Sequence, residues 1–327
     1  MNKSISYRAD IDGLRAVAVL AVIFYHAKFL FGKAIILPGG YLGVDIFFTI
    51  SGFLITSLLI KNINLDFKSF LKSFYVRRIR RLFPALFFLL IVLVLFASFF
   101  FDGYILENFS KSIFSSLFFY SNYFFWSMGE SYAALPSQFN PLLHTWSLSV
   151  EEQFYFLFPF FFFFSYKIFK KKIVFLLIAS CLISLIGSEY YGKNYTSFNF
   201  YGLPSRYWEI AVGSICACLN FKKLKSKKFF THYFADLGFV ITACSFFLYN
   251  DDRIHPSITS SLPVIGTVLI IIFSNRLSVC YNFFTAKFMV FIGLISYSLY
   301  LWHFPIFSIA KIISPSEMTN MFKLFLI

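Results

Sequence analysis

Several ionisable side chains stand inside or at the ends of strongly apolar segments of this sequence. His26, His144 and His303 are three of its five histidines, and Glu151 shares a helix face with His144 through steps of three and four by way of Ser147. Ionisable groups are rare in such segments, so each is a candidate functional residue. One histidine could act as a general base while the others orient a substrate. The alternative interpretation is that each is a buried structural histidine.

A zinc site is the other chemistry that three imidazoles could support. No His-x3-His pair and no cysteine–histidine spacing occurs in the sequence, and its five cysteines are scattered in or beside apolar segments. The sequence therefore predicts no metal site. It also predicts that the cysteines only pack against their neighbours.

Charged residues form a stripe on the first apolar segment. Asp12, Arg15 and His26 lie near one line at 100° per residue, and at a rise of 1.5 Å per residue His26 is about 21 Å from Asp12. The second segment carries Asp45 on a polar face that also contains small residues. These patterns predict polar stripes that run along the helices.

Two further groups have both a structural and a functional interpretation. Arg206 and Glu209 are an i, i+3 pair that can neutralise each other, so an internal salt bridge and a direct role are equally good interpretations. Tyr300 and His303 share a face near the end of the last long apolar segment, beside Trp302. Such a cluster is typical of the interfacial aromatic belt, and an acceptor site is the alternative.

A basic amphipathic loop precedes the third apolar segment, between Phe67 and Pro84. It contains four arginines within five residues: Arg77, Arg78, Arg80 and Arg81. One interpretation is an interfacial helix on anionic lipid. The other is a clamp for a phosphate-rich ligand, because guanidinium groups pair bidentately with phosphate oxygens.

The composition requires lipid as the solvent for most of the chain. Of its 327 residues, 59% are apolar and 13% are charged, whereas about a quarter are charged in soluble domains. The sequence predicts an all-α, polytopic membrane helix bundle with nine spans and an incomplete tenth at 321–327. The nine predicted spans are 14–31, 41–60, 82–101, 144–165, 173–189, 203–220, 233–249, 259–273 and 288–310.

Basic residues predict the orientation of this bundle. Lys and Arg outnumber Asp and Glu by 29 to 15, which in a membrane protein indicates topology rather than nucleic-acid binding. Most of the Lys and Arg residues between the spans lie on one side of the membrane if the aromatic stretch 112–126 does not cross it. We therefore expect a cytoplasmic N-terminus, with 112–126 along or partway into the outer face.

Several motifs, taken together and in order, resemble those of the membrane-bound acyltransferase 3 family, the bacterial O-acyltransferases that modify surface polysaccharides. The motifs are Tyr7–Ala16 followed by His26, Gly40–Phe48, Ile50–Ile55, Arg77–Pro84, His144–Tyr155 and Ile295–Pro305. The resemblance covers nearly the whole chain. Several independent motifs make it more specific than any one of them.

The resemblance implies transfer of an acyl group, usually acetyl, from cytoplasmic acyl-CoA to a hydroxyl of a glycan on the periplasmic side. It implies that Arg15 and His26 are required for activity. It also implies that Arg78 and Arg81, or the overlapping pair of Arg77 and Arg80, serve the donor.

It further implies a bacterial inner-membrane enzyme, with acyl-CoA, a lipid-linked or surface polysaccharide such as the O-antigen of lipopolysaccharide, and the bilayer as its partners. Many members carry an added periplasmic domain. For this chain the expectation is a single transmembrane acyltransferase domain, 1–327, without that addition.

Residues and resemblance together lead to one mechanistic hypothesis. The pantetheine arm of acetyl-CoA threads inward, His26 deprotonates a sugar hydroxyl, and the alkoxide attacks the thioester carbonyl. Glu151 or Asp12 would compensate charge, and Arg15 or His144 would stabilise the oxyanion. The residues assigned to substrate binding are Asp45, Ser51, Arg206, Glu209, Tyr300 and His303.

Two alternatives to this hypothesis stay open. The first is a covalent acyl-enzyme through Ser51, Tyr155 or His26. The second is a transporter that moves a lipid-linked sugar without forming a bond, although a transporter does not require an arginine run together with a first-helix arginine and histidine.

Overall fold

The computed structural model of the protein describes residues 7–31, 34–101, 103–129, 140–169, 172–219, 231–250, 252–313 and 320–325, and nearly all of them are helical. The helices are α1 (Ala9–Ala27), α2 (Gly43–Asn62), α3 (Phe67–Phe100), α4 (Gly103–Leu117), α5 (Ser121–Gly129), α6 (Thr145–Phe169), α7 (Ile173–Asn194), α8 (Thr196–Tyr201), α9 (Leu203–Cys218), α10 (Thr231–Leu248), α11 (Leu262–Phe273), α12 (Val279–Phe284), α13 (Lys287–Ile313) and α14 (Asn320–Phe325). Two-residue strands, β1 (Leu30–Phe31) and β2 (Ala34–Ile35), pair antiparallel. Short 3-10 turns lie at Gly40–Leu42 and Ile258–Ser261.

The prediction of an all-α membrane bundle is confirmed. Each of the nine predicted spans overlaps a helix: α1, α2, α3, α6, α7, α9, α10, α11 or α13. Within the described residues, four helical stretches are long and apolar enough to cross a membrane: Gly40–Asn62, Phe67–Phe100, Ile173–Asn194 and Lys287–Ile313. Two shorter helical stretches are also apolar, His232–Leu248 and Ile258–Phe273. The number of spans therefore stays a prediction.

The segment predicted to begin a tenth span contains the short helix α14. Asn320, its first residue, donates from Nδ2 to the carbonyl oxygen of Leu30 over 2.8 Å. Lys323 donates from Nζ to the carbonyl oxygen of Lys28 over 2.8 Å. These bonds hold α14 against the segment that directly follows α1.

The basic stretch before the third span is not a loop, which corrects the prediction. Asp66 caps α3 by accepting a hydrogen bond from the Ser69 backbone N–H over 2.9 Å, and the helix then runs through Pro84 for 34 residues. Its length is about 51 Å, well above the roughly 30 Å of a bilayer's apolar core. The arginines and the apolar span therefore belong to one rigid element.

The aromatic stretch 112–126 is divided between α4 and α5. The break falls at 118–120, where Phe119 has a φ of 53°. At 15 and 9 residues, the two helices are about 22 Å and 14 Å long, so neither reaches across an apolar core of roughly 30 Å. This agrees with a stretch that does not cross as a single helix.

Glycines allow two helix pairs to cross at very short range. A Cβ atom at Gly293 of α13 would lie 1.8 Å from the carbonyl oxygen of Asp12 in α1. A Cβ atom at Gly52 of α2 would lie 1.9 Å from the carbonyl oxygen of Ile210 in α9. These crossings bring the polar stripes of the four helices together at the centre of the bundle.

The contacts also fix the relative directions of the central helices. Asp12 meets Gly293 near one end of α1, and His26 meets His303 near the other, so α1 and α13 run parallel. Gly43, at the start of α2, packs against Ala18, in the middle of α1. Because α2 then runs back past the first half of α1, its polar residues reach a depth different from that of His26.

Candidate active site

One cavity, with about 80 Å³ of free space, lies between α1, α2, α3, α6 and α13. We call it the arginine cavity, because Arg15, Arg78 and Arg81 line it. Its other polar walls include Ser51 and Glu151. Much of the remaining wall is apolar, so charged groups here face one another in an environment that screens them weakly.

Two of the four predicted arginines of α3 reach this cavity. The Arg78 guanidinium lies over the ring of Tyr155, 4.4 Å from its centroid, and Arg81 lies one turn further along the same face. Arg77 and Arg80 are exposed and are not among the lining residues. The geometry therefore favours the pair of Arg78 and Arg81 over the overlapping pair.

Glu151 lies in the arginine cavity and not beside the histidines. It accepts a hydrogen bond of 2.5 Å from the Ser51 hydroxyl, and three guanidinium groups act on its charge, those of Arg15, Arg78 and Arg81. The helix face that Glu151 shares with His144 therefore does not place Glu151 beside the histidines. Seven residues separate the two, which is about 10 Å along the helix axis, so a shared face does not give a shared depth.

Arg15 and Asp12 stay together at the same end of α1. Their side chains form an ion pair with an N–O distance of 3.7 Å, and both are largely buried. Eleven residues separate Arg15 from His26, which is about 16 Å along the helix. Arg15 is therefore too far from His26 to stabilise an oxyanion that forms there.

A larger open cleft, with about 730 Å³ of free space, contains His26, His144 and His255 in its wall. We call it the histidine cleft. The ring of His303 lies behind this wall, with its centroid 5.1 Å from that of His26 and 5.5 Å from that of His144. The predicted convergence of the three histidines is therefore present in the structure.

Hydrogen bonds define the proton positions on two of these rings. His303 Nδ1 lies 2.6 Å from the Tyr300 carbonyl oxygen, which can only accept, so this nitrogen carries the proton. His303 Nε2 therefore accepts from His26 Nδ1 at 3.2 Å, and His26 Nδ1 also donates to the Val22 carbonyl oxygen at 3.0 Å. The second nitrogen of His26, Nε2, keeps its lone pair for a substrate.

Tyr300 stands between the arginine cavity and the histidine cleft. It lines both, as does Val44. The Tyr300 hydroxyl is 2.6 Å from the Ser147 hydroxyl and donates to the His144 carbonyl oxygen over 3.2 Å. The two spaces are thus neighbours, separated at this point by a hydrogen-bonded tyrosine.

A buried ion cluster closes one side of the histidine cleft. Arg206 Nη1 donates to Asp45 Oδ1 and to Glu209 Oε1, both at 3.2 Å, and to His255 Nε2 at 2.7 Å. Arg206, Asp45 and Glu209 have essentially no exposed surface. The predicted salt bridge of Arg206 and Glu209 is therefore present, and it extends to Asp45 and to a histidine that the sequence did not single out.

The sequence also matches a family of known proteins. The sequence profile of a family described as an acyltransferase domain matches residues 8–327. The chain belongs to the acyltransferase 3 family. This match confirms the resemblance that the motifs indicated.

Curated relatives of this acyltransferase 3 chain agree with the match. It is 32% identical to the peptidoglycan O-acetyltransferase OatA of Listeria monocytogenes, over 97% of this chain and 52% of that protein. It is 33% identical to the putative peptidoglycan O-acetyltransferase YrhL of Bacillus subtilis, over 92% of this chain and 48% of that protein. A putative O-acetyltransferase of Staphylococcus aureus is 35% identical over 94% of this chain and 52% of its own length.

The chain spans about half the length of these curated relatives. No solved structure matches it. The activities named for the relatives are those of longer proteins.

The structure divides the predicted site residues of this acyltransferase 3 chain among three places. The arginine cavity holds Arg15, Ser51, Arg78, Arg81 and Glu151; the histidine cleft and its wall hold His26, His144, Tyr300 and His303; the ion cluster holds Asp45, Arg206 and Glu209. Asp12 pairs with Arg15. His255 was missed because it lies in a connection between helices, where no helical periodicity relates it to the charges that it contacts.

Proposed function

We propose that this chain transfers an acetyl group from acyl-CoA to a hydroxyl of a cell-wall glycan, with peptidoglycan as the acceptor. The observation that carries the proposal is the adjacency of two different chemical environments, one lined by arginines and the other by histidines, on either side of Tyr300 and Val44. Membership of the acyltransferase 3 family supports group transfer over transport without bond formation.

The arginine cavity suits the donor. Arg78 and Arg81 offer two guanidinium groups on one face of α3, which can pair with the phosphates of coenzyme A. The distance of about 16 Å from Arg15 to His26 along α1 is then the distance that the pantetheine arm covers. In this arrangement the thioester passes Tyr300 and Val44 and arrives beside His26.

The histidine cleft supplies the acid–base chemistry of the transfer. His26 Nε2 accepts the proton of the acceptor hydroxyl as its oxygen attacks the thioester carbonyl and a C–O bond forms. The C–S bond then breaks, and the imidazolium returns the proton to the leaving thiolate. His303 and the Val22 carbonyl oxygen hold His26 Nδ1 throughout, so the reacting nitrogen stays the same.

His144 is the group that we assign to the oxyanion. It is buried, and neither ring nitrogen makes a hydrogen bond of ordinary geometry within the described part of the chain. A nitrogen that carries a proton there can therefore donate to an oxygen that gains charge in the transition state. Its ring lies 5.6 Å from that of Tyr300, at the boundary that the thioester has to pass.

Relatives guide the choice of acceptor. Two of them are named for peptidoglycan O-acetylation, so we propose peptidoglycan in place of the expected O-antigen of lipopolysaccharide. The basic segments favour a cytoplasmic N-terminus in the bacterial cytoplasmic membrane. With that orientation the arginine cavity faces the cytoplasmic supply of acyl-CoA, and the histidine cleft faces the cell wall.

The proposal is tested with the purified protein and radiolabelled acetyl-CoA. His26→Ala should abolish acetyl transfer and leave donor binding intact. The double variant Arg78→Ala/Arg81→Ala should raise the Kd for acetyl-CoA by at least about tenfold, because charge-assisted bonds are lost. The matched control is Arg77→Ala/Arg80→Ala, which removes the same charge from the same helix outside the cavity and should leave the Kd within about twofold.

Two outcomes would contradict the proposal. If the two double variants changed the Kd for acetyl-CoA equally, the arginines would be better explained by membrane anchoring. Movement of a lipid-linked saccharide without donor turnover would favour the transporter alternative.

A further inference from the structure

His255 lies in the wall of the histidine cleft, where neither sequence pattern nor family predicted a functional residue. Its side chain is 7% exposed. The connection that carries it is fixed against α8, because Asn199 donates from Nδ2 to the Pro256 carbonyl oxygen over 2.8 Å. The imidazole therefore has a defined position beside the cleft.

Arg206 determines which nitrogen of His255 carries the proton. His255 Nε2 lies 2.7 Å from Arg206 Nη1 and 3.2 Å from Asp45 Oδ1. All five N–H groups of a guanidinium are donors, so the shorter contact requires a lone pair on Nε2, and Asp45 Oδ1 receives its hydrogen bond from Arg206 instead. The proton of the neutral ring must then be on Nδ1. Burial and the adjacent guanidinium both lower the pKa of His255 well below its ordinary value, which keeps the ring neutral at pH 7.

The protonated nitrogen of His255 has no hydrogen-bond partner within the described residues. Nδ1 is buried, and a buried donor without a partner is unfavourable by about 1–3 kcal/mol. The rings of Tyr41 and Phe200 lie against the His255 imidazole, with centroids 5.1 Å and 6.5 Å from its own, and neither residue makes a hydrogen bond to Nδ1. A ligand oxygen that entered the cleft would satisfy this donor.

The cleft wall around His255 also contains a cluster of aromatic rings. The Trp146 and Phe200 rings lie 4.7 Å apart between centroids, and the Tyr201 ring adjoins both. All three line the cleft. The Arg206 guanidinium lies over the Trp146 and Phe200 rings, 5.2 Å and 5.0 Å from their centroids, so these two rings help to hold Arg206 in place beside His255.

A divalent metal is the competing occupant of this region. Ligand atoms of Asp45, Glu209 and His255 lie within 4.8 Å of one another. However, Arg206 already donates to all three, so its guanidinium takes the position and the charge that a cation would have. A metal would require displacement of a buried arginine, which is unfavourable when its carboxylate partners stay behind.

We propose that His255 binds the acceptor sugar, donating from Nδ1 to one of its oxygens, while Arg206 fixes the tautomer that makes this possible. The inference rests on the proposed function, because it names the group that holds the acceptor opposite the base His26. Arg206 is a positioning residue in this scheme. Asp45 and Glu209 hold Arg206 in turn.

Two near-isosteric variants of His255 test the assignment. His255→Asn keeps an N–H donor near the Nδ1 position, and His255→Gln keeps an acceptor for Arg206 near the Nε2 position but loses that donor. With disaccharide–peptides released from peptidoglycan by a muramidase as the acceptor, His255→Gln should raise the acceptor KM by about five- to tenfold, with kcat unchanged. His255→Asn should keep the acceptor KM within about twofold of wild type.

Turnover of acetyl-CoA measured without acceptor separates this inference from the proposed function. Both variants should keep this donor turnover, since the donor does not contact His255. Equal acceptor KM values in the two variants would overturn the inference and leave the acyltransferase intact. Wild-type protein without any acetyl-CoA turnover would refute the proposed function itself.

Metal content completes the test. We expect no stoichiometric divalent ion in the purified wild-type protein. One ion per chain that is lost in both His255 variants would overturn the tautomer argument, because His255 would then be a ligand.

Discussion

Replacing His303 by leucine should slow acetyl transfer and leave donor binding unchanged. His303 accepts a hydrogen bond from His26 Nδ1 over 3.2 Å and is itself fixed by a bond of 2.6 Å to the Tyr300 carbonyl oxygen. Leucine fills much of the same space but offers no acceptor. His26 then keeps only the Val22 carbonyl oxygen, so its ring can rotate and its proton can change nitrogen.

The expected fall in kcat follows from the position of His303, which holds the His26 imidazole from behind. Hydrogen-bond partners that orient a functional histidine typically contribute about 10–100-fold to activity. We therefore expect kcat to fall by that factor in His303→Leu. His303→Gln, whose side-chain oxygen can accept from His26, should recover most of the loss.

The assay is the kcat for transfer of radiolabelled acetyl to muramidase-released disaccharide–peptides, with the Kd for acetyl-CoA measured in parallel. The comparison of the two variants is decisive, because both remove the imidazole and only leucine also removes the hydrogen-bond acceptor for His26. A kcat for His303→Leu within about twofold of wild type would refute the reasoning. So would a glutamine variant as slow as the leucine variant.

Three further predictions concern folding, the chemical route and helix capping. Gly293→Ala should prevent stable folding in detergent, whereas Gly187→Ala, where a Cβ atom has neighbours no closer than 3.8 Å, should leave the melting temperature nearly unchanged. Direct transfer predicts that Ser51→Ala keeps measurable kcat and that no acetyl label is found on Ser51 after incubation with acetyl-CoA; a labelled Ser51 peptide would instead establish a covalent intermediate. The pKa of Asp66 is lowered by hydrogen bonds from Ser69, so its stabilising effect is present at neutral pH and is lost as the pH falls through the folded-state pKa. The difference in melting temperature between wild type and Asp66→Ala should therefore shrink on acidification, and a constant difference would contradict this role.

Sequence reasoning predicted the helices well because lipid imposes a simple requirement. Apolar stretches of span length have to be helical, so each predicted span overlaps a helix. The start of helix α3 was predicted wrongly, because the predicted span begins at residue 82, after the arginines and beside Pro84, whereas the helix begins at Phe67. A proline removes one backbone donor without always ending a helix, and Pro84 does not break α3 here.

The candidate site was predicted only in part, because the sequence does not give the depth of each residue in the bundle. Periodicity correctly placed His26, His144 and His303 on polar faces, and these rings converge. The same periodicity joined Glu151 to His144, although two helical turns carry Glu151 into the other cavity. Helical periodicity predicts the face of a helix on which a residue lies. Its depth in the bundle becomes clear only from the tertiary contacts.

Tyr300 has a consequence for the membrane as a permeability barrier. A passage that admits a thioester would also admit water and protons, and an open one would dissipate the ion gradients of the cell. In the proposed function, the hydrogen bonds of Tyr300 to Ser147 and to the His144 carbonyl oxygen would close that passage. The donor arm would have to displace Tyr300 to enter, and it would then fill the opening that it makes. The substrate that opens the passage would then also block the flow of water and protons through it.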